Sequence, residues 1–273
     1  MKFRYGKYVL LTGGSSGIGL ATADLFATNG YVVYAGSRDP SLDVRPFPGG
    51  GEVRPFKIDV RDEASVKEAV GAILSEADIG IVVHCAGMGI ACPAEDFPAD
   101  AVDRQIDTNF LGVLRVNSQV LPHLRERGNG LCVTTGSVAG MFPVPFQSHY
   151  CSSKAALDLY SAALRMELRD FAVRASLLMP GDTSTGFTSA RTYVIDDSSV
   201  YYETCLKAVK KMEKDEVEGK QPITAARAIF KLCNAKNPPA RRIVGFDYKA
   251  LAFLSRLLPY WLVEYILRKM YLT

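Results

Sequence analysis

The sequence predicts an α/β fold built on a parallel sheet, and three observations carry that prediction. Short apolar runs alternate along the chain with longer stretches of helical spacing. The first run ends in a glycine-rich turn, Thr12-Gly13-Gly14-Ser15-Ser16-Gly17-Ile18-Gly19, that leads into a helix. A later run ends close to Ser137 and is followed by a helix that opens with Tyr150 and Lys154 one turn apart.

Length and composition bound the rest. A chain of 273 residues with 48% hydrophobic and 22% charged residues has the balance of a folded globular unit, which excludes disorder. The net charge of +3 comes without a basic cluster interleaved with aromatics, so no nucleic-acid partner is expected. The six cysteines lack paired metal-ligand spacing and read as reduced, packed thiols, with no metal. The first seven residues lead directly into a strand and no run of eighteen apolar residues occurs, so a cytoplasmic protein is expected.

In chain order, Lys7 to Leu11 is an apolar strand and the helix after the glycine turn runs from about Ile18 to Asn29. Strand, glycine turn and helix together suit a pyrophosphate, because free N–H groups and the helix dipole at an N-terminus favour anions. The next strand, Tyr31 to Ala35, ends at Gly36-Ser37-Arg38, where such a unit meets the adenosine ribose. With Gly36 there is no acid for the ribose hydroxyls of NAD, so Arg38, helped by Ser15 or Ser37, is the candidate for the 2′-phosphate of NADP. Three prolines and Gly49-Gly50-Gly51 between Ser37 and Glu52 predict a short or missing crossover helix. Val53 to Val60 forms the third strand, whose Asp59 could reach the adenine, and Asp62 caps a helix through about Ala77.

The fourth strand, Ile79 to Val83, delivers His84-Cys85-Ala86-Gly87. A helical pattern from about Ala99 to Leu124 contains Asn109, a poor helix former that marks either a kink or a functional position. Leu131 to Thr135 precedes Ser137; after the helix of Tyr150 comes a strand from Val173 to Met179, ending in Pro180-Gly181. A forty-residue connection, 182–221, with a helix from Ser199 to Glu218, is long enough to cover a site. Ile223 to Cys233 is helical and Arg242 to Val244 is the last strand.

Tyrosine and lysine four apart on a helix are neighbours, and an ammonium beside a phenol favours the phenolate. A free tyrosine titrates near ~10, so it needs such help to exchange protons with an alcohol or carbonyl oxygen at neutral pH. Tyr265 and Lys269 repeat the spacing in the tail, but only Tyr150 and Lys154 follow a strand and a serine. His84, His149 and Cys151 read as packing or wall residues rather than catalysts.

Glycine loop, serine, tyrosine and lysine, in this order on alternating strands and helices, resemble the short-chain dehydrogenase/reductase family from about Lys7 to Val244. The resemblance implies a doubly wound Rossmann fold with a seven-stranded parallel sheet, helices on both faces and hydride transfer between a nicotinamide and a carbonyl or alcohol carbon. It implies one dinucleotide-binding and catalytic domain over 1–245, with a helical tail over 246–273, and a homodimer or homotetramer. By position, Tyr150 would exchange the proton, Lys154 would hold the nicotinamide ribose and lower the tyrosine's pKa, and Ser137 would orient the substrate oxygen. Asn109 would hold a water beside the lysine. Gly13, Ser15, Ser16, Gly17, Ile18, Gly19, Ser37, Arg38, Asp59, Val60, Ala86 and Gly87 would bind the cofactor, NADP(H), with Pro180, Gly181 and Thr183 or Thr185 at the carboxamide. One departure is plain: the family's Asn-Asn-Ala-Gly is His84-Cys85-Ala86-Gly87 here.

Met88, Met141, Phe142, Val144, Phe146, Phe187 and Tyr193 are expected to face the substrate with hardly a charge among them, implying an apolar alcohol or ketone. Within the family the pattern is most similar to the 17β-hydroxysteroid and retinol dehydrogenase-like branch, with 3-oxoacyl or long-chain lipid ketone reduction as the alternative. A dinucleotide-binding regulator without chemistry would not need Tyr150, Ser137 or Lys154. The tail, Phe246 to Thr273, reads as two amphipathic helices broken at Pro259, too short to span a bilayer. They are expected to pack on the body, cover the substrate entrance, meet a second subunit, or lie on a membrane surface through Tyr260, Trp261 and Tyr265.

Overall fold

A computed structural model describes residues 3–41, 43–96 and 98–272. In chain order the elements are β1 (Tyr8–Thr12), α1 (Gly17–Thr28), β2 (Val32–Ser37), β3 (Arg45–Pro46), β4 (Glu52–Lys57), α2 (Glu63–Glu76) and β5 (Ile79–His84). There follow β6 (Ile90–Ala91), α3 (Ala99–Ile106), α4 (Gly112–Arg127), β7 (Gly130–Thr135), α5 (Ser148–Glu167) and β8 (Val173–Pro180). The chain closes with α6 (Gly186–Ser189), β9 (Thr192–Tyr193), α7 (Tyr202–Val217), α8 (Pro222–Asn234), β10 (Arg241–Val244), α9 (Phe246–Leu254) and α10 (Tyr260–Leu272).

The main sheet has the order β10-β8-β7-β5-β1-β2-β4-β3. Its seven strands from β10 to β4 pair in parallel, as expected, and β3 adds an antiparallel edge of two residues. That edge occupies the place of the missing crossover helix, and its Pro46 suits a strand that ends a ladder. Side-chain alternation along β1 splits the core. Val9 and Leu11 pack with Phe26, Tyr31, Ile229 and Leu232 under α1 and α8, while Leu10 packs with Val70, Val116 and Leu164 under α2, α4 and α5. Strand order reverses between β1 and β5, so the crevice beyond their C-terminal ends is where a ligand fits an open sheet of this kind.

Three local features matter for the site. The long helix around Asn109 is α3 and α4 joined by a π-helical turn, Asp107–Leu111. The helix carrying Tyr150 begins at Ser148, so both Tyr150 and Lys154 lie within α5. The connection 182–221 is pinned at its base, where the Lys220 N–H donates to the Asp182 carbonyl at 3.0 Å and the Ser184 N–H to the Lys220 carbonyl at 3.0 Å, and it carries α6, β9 and α7. The two tail helices form on either side of Pro259, and their inner faces pack together on Phe142 through Leu251, Ala252, Val263, Leu267 and Tyr271.

Candidate active site

A cavity of about 740 Å³ opens over the C-terminal ends of the central strands. One end is the glycine turn. Gly13 has φ +73°, and a Cβ there would stand 2.5 Å from the Ala86 nitrogen, while a Cβ on Gly19 would meet the Gly13 carbonyl oxygen at 2.0 Å. Only glycine lets the turn close on α1 in this way. Ser16 precedes the helix without a side-chain cap, so the first N–H groups of α1 are left for an anion.

At the end of β2, Gly36 is packed so that a Cβ would lie 2.6 Å from the Phe56 ring and 2.7 Å from Ile58. An acidic side chain therefore has no room at this position. Next to it the buried Ser37 hydroxyl has no partner among the described residues, and Arg38 lies exposed on the cavity wall beside Asp39. The unsatisfied hydroxyl and the exposed guanidinium thus stand side by side at this end of the cavity. Asp59 also reaches the wall, but its carboxylate accepts from the Arg61 N–H at 3.0 Å and from Arg61 Nη2 at 2.7 Å. That arginine, which sequence reasoning missed, holds the Asp59 carboxyl below its ordinary range.

At the other end, β7 delivers Ser137 and α5 delivers Tyr150 and Lys154. Ser137 caps the turn after β7, accepting from the Ala139 N–H at 3.1 Å. Burial raises the Tyr150 phenol above its ordinary pKa; a hydrogen bond with Ser137 opposes the shift, Glu216 adds to it and Arg191 reduces it. Lys154 is 6% exposed, its Nζ lies 5.6 Å from the Tyr150 ring centre and donates to the Thr135 carbonyl at 3.2 Å, and burial lowers its pKa to about 8. The expectation that Lys154 itself lowers the tyrosine's pKa is thus not met in the protein alone. The ammonium is spent on a backbone carbonyl, and desolvation dominates both groups.

Asn109 sits at the π-turn, fully buried. Its Oδ1 accepts from the Met88 N–H at 2.8 Å, and its Nδ2 donates to the Met88 carbonyl at 3.0 Å and to the Ser153 hydroxyl at 3.2 Å. It stands behind the cavity wall rather than on it, fixing the strand end beside Gly87, where a Cβ would be 3.4 Å from Asn109 Oδ1 and 3.8 Å from Lys154 Nζ. Cys85, in place of the family asparagine, contacts the Thr135 hydroxyl at 3.3 Å and so still ties β5 to β7. His84 is buried on Asn117 at 2.9 Å, its pKa lowered to about 4 by burial, which matches a structural histidine.

The remaining candidates divide. Val60, Ala86, Met88, Phe142, Val144, Pro180, Gly181, Thr183, Thr185 and Phe187 line the cavity together with Ser15, Gly17 and Ile18. Three do not. Met141 turns towards a second cleft, Phe146 packs beside Ala91 and Cys205, and Tyr193 is an exposed partner of Glu213. Each is apolar or aromatic and near in sequence to a wall residue, but local backbone direction sends it elsewhere. In their place come residues from later helices: Met212, Asp215 and Glu216 of α7, Tyr248 and Leu251 of α9, and Leu267, Met270 and Tyr271 of α10. Amphipathic spacing marked these helices, while nothing local marked which face would meet the site. The wall is also less apolar than expected, since Asp182, Asp215 and Glu216 all reach it. Glu216 is held by the buried Arg191 and by the Thr188 hydroxyl at 2.6 Å, and Asp182 by the Tyr248 hydroxyl.

The short chain dehydrogenase family model matches residues 7–193 of this chain. A 3-ketodihydrosphingosine reductase of Bacteroides thetaiotaomicron is 36% identical over 267 residues, covering 96% of this chain and 97% of that protein. The human 17-beta-hydroxysteroid dehydrogenase type 1 is 35% identical over 189 residues, 66% of this chain and 57% of that protein. Among solved structures, a short chain dehydrogenase/reductase from Burkholderia phymatum in complex with NAD superposes with a TM-score of 0.80 at 22% identity, covering 94% of this chain and 95% of that one. The chain therefore belongs to the short-chain dehydrogenase/reductase family and is an oxidoreductase of that class, which uses a nicotinamide dinucleotide.

Proposed function

We propose that the protein is an NADP(H)-dependent reductase of long-chain lipid ketones. The observation that carries the reading is the cavity itself, which runs from the Arg38 end past Tyr150 to an apolar wall built by the tail, Leu251, Leu267 and Met270. Such a wall suits an extended acyl chain. The relative matched along its whole length is named for a lipid ketone, whereas the hydroxysteroid relative is matched over little more than half of its own length. This reverses the order expected from the sequence, where a hydroxysteroid stood first.

When bound, the dinucleotide supplies the hydride. The glycine turn and the start of α1 hold its pyrophosphate, and Ser37 and Arg38 the 2′-phosphate. Ser137 donates a hydrogen bond to the ketone oxygen and Tyr150 gives it a proton, a task for which a raised pKa keeps the phenol protonated at neutral pH. Lys154 holds the nicotinamide ribose, and Asn109 keeps the wall beside it in place. The part over 1–245 acts as one catalytic domain, with the tail completing the substrate side. Leu159 and Met166, both exposed on α5, fit a homo-oligomer.

Oxidation of NADPH and of NADH, followed with 3-ketodihydrosphingosine, a 3-oxoacyl thioester, a 17-ketosteroid and retinal, tests the reading. The highest kcat/KM is expected for the sphingoid ketone with NADPH. A steroid as best substrate overturns the substrate class, and equal use of NADH overturns the cofactor.

A further inference from the structure

We infer that the outer face of the tail, together with a basic cleft beside it, is a docking surface for an anionic lipid bilayer. Both tail helices lay their inner faces on the cluster around Phe142, which leaves the opposite side chains outward. Phe253, Leu257, Tyr260 and Trp261 are each between 64% and 70% exposed, an unusual density of large apolar groups for a free surface. Tyrosine and tryptophan are the side chains that settle at the boundary between headgroups and acyl chains.

The adjoining cleft, about 360 Å³, is lined by Arg241, Arg242, Lys249 and Arg256 with Met141, Pro239 and Ile243, and no carboxylate lines it. Lys249, Phe253 and Arg256 succeed one another at spacings of four and three along α9 and the turn after it, and Leu257 lies four beyond Phe253, so the cations and the apolar groups form one strip. Arg241 is held by Asp158 at 2.5 Å, but among the described residues Arg242, Lys249 and Arg256 form no ion pair. The acids of the tail do not balance them: Asp247 is paired with Lys220 at 2.6 Å, and Glu264 does not line the cleft.

This charge decides between occupants. A two-fold contact with a second copy would set the same unpaired cations against each other, with no matching acid on the patch. An anionic bilayer supplies both the negative surface and the apolar boundary layer that the strip lacks. The inner faces of the same helices line the catalytic cavity, so the docked surface is the outer side of that cavity's wall. The surface is independent of the substrate proposed above, and it is read by binding rather than turnover.

The full chain is sedimented with vesicles of phosphatidylcholine alone and of phosphatidylcholine mixed with phosphatidylglycerol. Co-sedimentation with the mixed vesicles at low salt is expected, with loss as salt rises. The triple variant R242Q/K249Q/R256Q is expected to lower the partition coefficient by about 10²-fold, and the double variant F253S/W261S to abolish partition, with unchanged circular-dichroism melts as the check on folding. The inference is overturned if the intact protein remains in the supernatant, if it binds both vesicle types equally, or if folded variants bind as well as the parent. It is likewise overturned, in favour of a second copy, if ultracentrifugation without lipid shows a dimer that F253S/W261S dissociates and vesicles capture nothing.

Discussion

At the scale of the residue, two tyrosine–lysine pairs of identical spacing make an internal experiment. Lys154 Nζ lies 5.6 Å from the Tyr150 ring centre and Lys269 Nζ 5.5 Å from that of Tyr265, yet only the first pair faces the cavity. Tyr150→Phe is expected to reduce kcat by roughly 10²–10⁴-fold, the usual contribution of a positioned acid, with NADPH affinity nearly intact. Tyr265→Phe should leave turnover unchanged; a comparable loss there would reject the assignment. Arg38→Ala is expected to raise the dissociation constant of NADPH by about 10-fold or more and that of NADH hardly at all, measured by fluorescence titration. Lys154, with a pKa lowered to about 8, loses its charge as pH rises through that value. The profile of kcat/KM for reduction, which reports the free enzyme, should therefore be flat near neutrality and fall above about pH 8, and Lys154→Arg should move that limb upward.

At the scale of the element, the π-turn between α3 and α4 is a device for aiming one side chain. Asn109 spends its amide on both backbone groups of Met88 and on Ser153, so the poor helix former noted in the sequence is where the helix departs from α geometry. Asn109→Ala strands the Met88 groups in a buried setting and is expected to cost about 2–4 kcal/mol of stability. Urea unfolding measures it, and a loss below ~0.5 kcal/mol would show that the turn does not depend on the clamp. The glycine turn and its helix, the short or missing crossover helix and the Asp62 cap were legible in sequence, whereas the caps at Ser137 and Thr185 were not. The legible features depend on residues a few positions apart, such as Asp62, which accepts from the Ala64 N–H at 2.9 Å.

At the scale of the whole molecule, the substrate side of the cavity is made by chain segments that the catalytic residues meet only after folding. Tyr248, Leu251, Leu267, Met270 and Tyr271 come from the last tenth of the chain and line the same cavity as Phe142 and Tyr150. Truncation before Tyr260 is expected to raise KM for a long-chain ketone by roughly tenfold, equivalent to ~1.4 kcal/mol of lost contact, while KM for a short-chain ketone changes little. An unchanged long-chain KM would mean that the tail merely covers the body. No helix among the described residues is long and apolar enough to cross a membrane.

The sequence by itself pointed to the α/β class, to seven strands, to a glycine turn suited to a phosphate and to Ser137, Tyr150 and Lys154 as candidates, because each is written in short-range periodicity or in residues with few conformational alternatives; the parallel seven-stranded sheet came from the family resemblance. Sheet order and the wall of the pocket were decided by tertiary structure. Met141, Phe146 and Tyr193 look like wall residues and are not, whereas Glu216, Leu267 and Tyr271 carry no local mark and are. An apolar or charged side chain at helical spacing says that a face exists; what it meets depends on long-range packing, as when Leu267 and Tyr271 settle on Phe142 rather than on solvent. The pKa values follow the same rule, since Lys154 beside Tyr150 promised a lowered phenol and burial of both reversed the sign.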